Sequence, residues 1–120
     1  MSQFRHLSPN QLVAIYLMAS YLYYHEDKNY MMDFEFDELC QYMHDNFDQL
    51  KEARLFKLIK KEHLKAGTGF HLAKNDFPRS LIMNAQYCYN VLQERKLASF
   101  MAFTNEEISK RYKYIWNMKH

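Results

Sequence analysis

The stretch Tyr21–Leu39, YLYYHEDKNYMMDFEFDEL, concentrates aromatic rings and carboxylates in a short span. Tyr23 and Tyr24 precede an acidic connection, and Asp33, Phe36 and Asp37 follow it. If the two halves are antiparallel helices, Tyr23 and Phe36 approach one another across the hairpin. Two aromatic faces flanking a gap suit a flat ring, and adjacent carboxylates accept hydrogen bonds from an amide or from sugar hydroxyls. The same residues also have plain structural uses. Phe36 heads an apolar stripe and can belong to the core, Asp33 can act as a helix cap, and Tyr23 can simply pack.

Other chemistry is sparse. There is no GxSxG, no HExxH and no P-loop, because Gly67-Thr68-Gly69 lacks the Gly-Lys-Ser/Thr that should follow. The six histidines are scattered, with no pair at metal-ligand spacing on one helix face, so no metal site is expected. Cys40 and Cys88 stand alone without a CxxC, which fits a reduced, cytosolic compartment. Charge is uneven although the net is only +2. From Glu26 to Asp48 eight acidic residues face Lys28 alone, while Lys51–Lys65 carries six basic residues and Lys110–Lys119 four. Such asymmetry steers charged partners, or simply solvates two faces of opposite sign. Lys57, Lys60 and Lys61 are the candidates for nonspecific phosphate contact, although no helix shows a compact basic recognition face.

The elements that must position these residues follow from composition and periodicity. A chain of 120 residues supports one core and is short for two, so one domain over 1–120 is expected. Hydrophobic residues make up 48% and charged residues 25%, which is ordinary for a folded globule. With two Gly and two Pro there are few tight turns, which disfavours a many-stranded barrel or sandwich. No apolar run approaches a membrane span, and residues 1–10 lack a signal-peptide pattern. Ser8-Pro9 starts a first helix whose face is Leu12, Ile15, Tyr16, Ala19, Leu22 and Tyr23, ending near Glu26. Asp33 is expected to cap a second helix with Phe36, Leu39, Cys40, Met43 and Phe47 as its stripe. A short helix over Lys60–Ala66 should stop at Gly67, and Phe70–Phe77 reads as irregular or a short strand. Pro78 opens a helix with Leu81, Ile82, Ala85, Cys88, Tyr89 and Leu92 on one side. Thr104 and Glu107 form a capping box for a last helix. The fold class is mostly α, with about five helices and a less regular middle.

Residues from about 10 to 47 resemble the small N-terminal helical domain of bacterial NAD-dependent DNA ligases, which grips the nicotinamide mononucleotide (NMN) half of NAD. That pattern, roughly Y-x-Y-H, an acidic connection, then D-x-E-Y-D-x-L, aligns without a gap. It falls on Tyr21-Leu22-Tyr23-Tyr24, Asp27 and Asp33-Phe34-Glu35-Phe36-Asp37-Glu38-Leu39. The chain also resembles short bacteriophage proteins of undefined role, which share the hairpin and a Leu-x-Ala-Gly-Thr-Gly element, here Leu64–Gly69. The resemblance implies that Tyr23 and Phe36 sandwich a nicotinamide ring, that Asp37 holds its carboxamide and that Asp33 binds the ribose. Two positions depart from it. Tyr24 replaces the family's histidine, with His25 next to it, and Phe36 replaces a tyrosine. A ligase also needs a nucleotidyltransferase domain with a K-x-D-G lysine, and the nearest segment is Lys74-Asn75-Asp76-Phe77.

The expectation is therefore a non-catalytic, phage-type, cytosolic binding module. Its ligand would be a nicotinamide nucleotide, NMN or NAD, held by Tyr23, Tyr24, Asp33, Phe36 and Asp37. An adaptor or inhibitor that binds a host or phage protein of DNA metabolism is the alternative. A nonspecific nucleic-acid binder using the basic segments is the second.

Overall fold

The computed structural model describes residues 4–97 and residue 99. Four α-helices appear there: α1 (Pro9–Glu26), α2 (Asp33–Asp45), α3 (Lys61–Ala66) and α4 (Arg79–Glu94). Three short 3₁₀ turns, Phe47–Glu52, Phe56–Leu58 and Lys74–Asp76, interrupt the middle of the chain, and no strand occurs among the described residues. The fold is mostly α, as the periodicities predict. The expected helix after Thr104 and the basic run Lys110–Lys119 lie outside the described residues.

The start of α1 is fixed by chemistry written in four residues. The Ser8 hydroxyl accepts from the Gln11 N–H at 3.1 Å, and the Gln11 side chain accepts from the Ser8 N–H at 2.9 Å. Pro9 occupies the first turn, where its missing N–H costs nothing. At the other end Asp27 turns left-handed at φ 55°, and the Lys28 N–H closes back on the Leu22 carbonyl at 2.9 Å. Aspartate tolerates that conformation better than a bulky residue does.

The single apolar face expected for α1 understates its burial. Every residue from Leu12 to Leu22 is buried, so α1 is the central helix, packed by α2, α4 and the Phe47–Glu52 turn. Tyr23, which the periodicity assigns to the buried face, is 52% exposed. Ser20 and Tyr21 complete the ring of burial, because neighbours close on α1 from all sides.

The cap of α2 also differs from expectation. Met32 is the N-cap and Asp33 already lies inside the helix. Glu35 reaches back instead, accepting from the Met32 N–H at 2.8 Å. Its other oxygen accepts from the Ser99 hydroxyl at 3.2 Å, which explains a buried carboxylate in the first turn. Leu39, Cys40 and Met43 form the buried stripe of α2, whereas Phe47 falls in the following 3₁₀ turn. On α4 the stripe is Leu81, Ala85, Cys88 and Leu92, and Pro78 is its N-cap. Gln86 donates to Glu26 at 2.8 Å, tying α4 to the last turn of α1.

Candidate functional site

A pocket of about 320 Å³ opens between the end of α1 and the start of α2. That volume is at the small end of the range for small-molecule sites, roughly 300–1,000 Å³. Tyr23, Tyr24, Asp33, Phe36 and Asp37 all line it. Their convergence follows from helical spacing. Asp33, Phe36 and Asp37 lie three and four residues apart, so they share one face of α2, while Leu39, Cys40 and Met43 turn to the core. The tight left-handed exit at Asp27 folds α2 back alongside the last turns of α1, where Tyr23 and Tyr24 sit.

The two rings expected to sandwich a ligand are held by other aromatics. Phe36 is half-buried and stacks on Tyr16, centroids 5.7 Å apart and planes 15° apart. Tyr23 stands edge-on to Tyr24 at 4.9 Å and 89°. Asp33 and Asp37 are exposed at the mouth. The Asp37 carboxylate crowds Gly67, where a Cβ would lie 3.1 Å from Oδ1. Burial, with the Asp37 charge adding to it, pushes the Cys40 thiol up to about 12.

Tyr24 lines the pocket, but its hydroxyl already has a partner. It lies 2.7 Å from the Thr68 hydroxyl, which also accepts from the Phe70 N–H at 3.0 Å. Tyr16 donates to the Thr68 carbonyl at 2.7 Å. His25 follows Tyr24 in the chain but lies elsewhere. It is absent from the pocket wall, packs against Tyr21 and Phe77, and sets Nε2 3.0 Å from the Leu72 carbonyl.

The remaining wall was missed by reasoning from types and spacing. Ser20, Tyr30, Met31 and Gly67 contribute to it. Ser20 gave no signal, since it sits on the buried central helix. The apolar pair Tyr30-Met31, in an otherwise polar connection, was a usable one. Gly67 is left-handed at φ 72° and ends α3, as expected of a glycine after a short helix.

The basic candidates lie elsewhere. Lys57, Lys60 and Lys61 are exposed on the segment running from the second 3₁₀ turn into α3. The Lys61 ammonium lies 5.6 Å from the centre of the Phe47 ring, and Lys61 borders a hollow shared with Asp45 and Asp48. The local field there is mixed in sign. Lys74 and Asp76 fall in an exposed 3₁₀ turn, where the Asp76 carboxylate accepts from the Ala73 N–H at 2.8 Å. Among the described residues no group of three or more His, Cys, Asp or Glu is placed to hold a metal ion, and no helix is long and apolar enough to cross a membrane. No family model, curated protein or solved structure matches the chain.

Proposed function

We propose that this chain is a non-catalytic binding module that takes a nicotinamide nucleotide, NMN or the NMN half of NAD, between α1 and α2. One observation carries the reading: the four residues given roles by the resemblance to ligase N-terminal domains, with Tyr24 beside them, line a single pocket. Tyr23 and Phe36 supply aromatic surface for the ring, Asp37 an acceptor for the carboxamide NH₂, and Asp33 an acceptor for ribose hydroxyls. Among the described residues no lysine lines the pocket, and the reading assigns the module binding rather than nucleotidyl transfer. A phage-encoded orphan of the ligase domain, working in the host cytosol, fits this role.

Affinity should be modest, roughly millimolar to high micromolar, equivalent to about 4–6 kcal/mol. Titration of NMN and NAD followed by amide chemical shifts tests it. Shifts should cluster at Tyr23, Asp33, Phe36 and Asp37, and Asp37→Ala should remove them without altering the rest of the spectrum. Silence towards both nucleotides retires the reading. The adaptor alternative gains from a second observation. Met32 and Phe34 at the start of α2, and Met83 and Tyr87 one turn apart on α4, are large apolar side chains left exposed.

A further inference from the structure

The charge around this pocket is one-sided. Asp33 and Asp37, one turn apart on α2, both line it, and no Lys, Arg or His belongs to the wall among the described residues. Four of the other nine wall residues are aromatic: Tyr23, Tyr24, Tyr30 and Phe36. Aromatic faces attract cations through the ring quadrupole, and flanking carboxylates add direct Coulomb attraction. The start of α2 could in principle favour an anion, but Glu35 already accepts from the Met32 N–H and Asp33 occupies the first turn. The wall also carries an uncommitted polar group. Ser20 is 1% exposed, and its hydroxyl has no hydrogen-bond partner among the described residues.

We infer that the pocket reads the positive charge of the pyridinium ring, and so selects the oxidised, cationic nicotinamide nucleoside over uncharged rings of the same shape. The identity of the ring rests on the nicotinamide reading above; the preference for positive charge rests on the wall itself. Reduction of the ring removes both its charge and its aromaticity, so the dihydropyridine loses the attraction of both carboxylates and the stacking. A phosphate places a dianion beside Asp33 and Asp37 with no base on the wall to receive it. NMN therefore binds no better than the riboside, and the pocket separates the oxidised ring from the reduced one.

Three probes separate charge from shape. Nicotinamide riboside is the cation; benzamide riboside has the same outline and carboxamide but a neutral ring; N-methylpyridinium has the charge without carboxamide or ribose. Each is titrated against the full chain and against the Asp33→Asn/Asp37→Asn variant by amide chemical shifts. The riboside should bind roughly tenfold or more tighter than benzamide riboside, as cation–π attraction with partial desolvation allows. The double variant keeps amide acceptors and should narrow that ratio to less than about threefold. Equal affinity for the two ribosides overturns the charge selection and leaves the nicotinamide reading standing. N-methylpyridinium binding as tightly as the riboside keeps charge selection and removes the nicotinamide reading. Failure of both cations to bind overturns the inference.

Discussion

Tyr24 shows how one side chain can line a pocket and still be committed elsewhere. Its ring forms part of the wall, but its hydroxyl meets Thr68 and so ties the chain after α3 to the end of α1. Tyr24→Phe should therefore cost about 1 kcal/mol of stability, the usual net worth of one hydrogen bond, with ligand shifts unchanged. The urea midpoint reads the first and an NMR titration the second. Tyr24→His, paired with Phe36→Tyr to restore the ligase pattern, should lose the same strut while strengthening NMN binding. If the double variant binds NMN no better than the natural chain, the departure at position 24 has no bearing on phosphate. Cys40 is committed in another way. Buried beside Asp37, its thiol is held up at about 12, so it should resist alkylation in the native state at neutral pH and react only on unfolding.

At the scale of elements, the Gly67–Gly69 loop has its own requirement for glycine. Gly69 lies directly on Ser20: an added Cβ would sit 2.6 Å from the Ser20 Cβ and closer still to its hydroxyl. The loop crosses α1 at Tyr16, Ser20 and Tyr24, three positions four residues apart on one face, two of them bonded to Thr68. Gly69→Ala should destabilise by roughly 1–3 kcal/mol, the range for an overfilled core, and should disturb pocket resonances because Ser20 and Gly67 line the wall. A denaturation curve matching the natural protein would show that the loop lifts away freely. Much of this arrangement was legible beforehand. Ser8-Pro9 and the stripes Leu39-Cys40-Met43 and Leu81-Ala85-Cys88-Leu92 are local signals, and local hydrogen bonding and periodicity decide them. That the five candidate residues share one pocket wall follows from the sequence, because three lie on one face of α2 and the hairpin brings the others across. The cap of α2, the exposure of Tyr23 and the seat of Gly69 on Ser20 were not legible. The last two depend on which neighbours close around α1, whereas the cap is local, with Glu35 rather than Asp33 reaching the Met32 N–H. Even Glu35, a normal helix-start residue, owes its burial to Ser99, far along the chain.

Among the described residues α1 is the axis on which α2, α4 and the Phe47–Glu52 turn pack, and its burial has a titration consequence. Leu39, fully buried where α2 meets that core, should cost ~2–5 kcal/mol on truncation to Ala. More distinctive is the set of acidic groups gathered in the same interior. Burial raises the Tyr16 phenol above its ordinary range, with Cys40 and Tyr24 adding to it. Burial and the hydrogen bond to Glu26 raise Tyr21 to about 12, and Cys40 is raised to a similar value. All three shifts favour the neutral form in the fold. Below about pH 9 both folded and unfolded chains keep these protons, so the stabilisation is complete. Above that, the unfolded chain ionises near the ordinary 9.0 of a thiol and 10.0 of a phenol, while the folded chain holds its protons until about 12. Stability must therefore fall with rising pH across that window, by at most about 1.4 kcal/mol per pH unit for each proton retained. Urea midpoints measured from pH 8 to pH 11 should be level at first and then drop steeply. Cys40→Ala should start from a lower midpoint and show a shallower alkaline slope, because one protected proton is gone. A slope unchanged by that substitution would mean the thiol takes no part, leaving the two tyrosines of α1 as the source of the alkaline weakness.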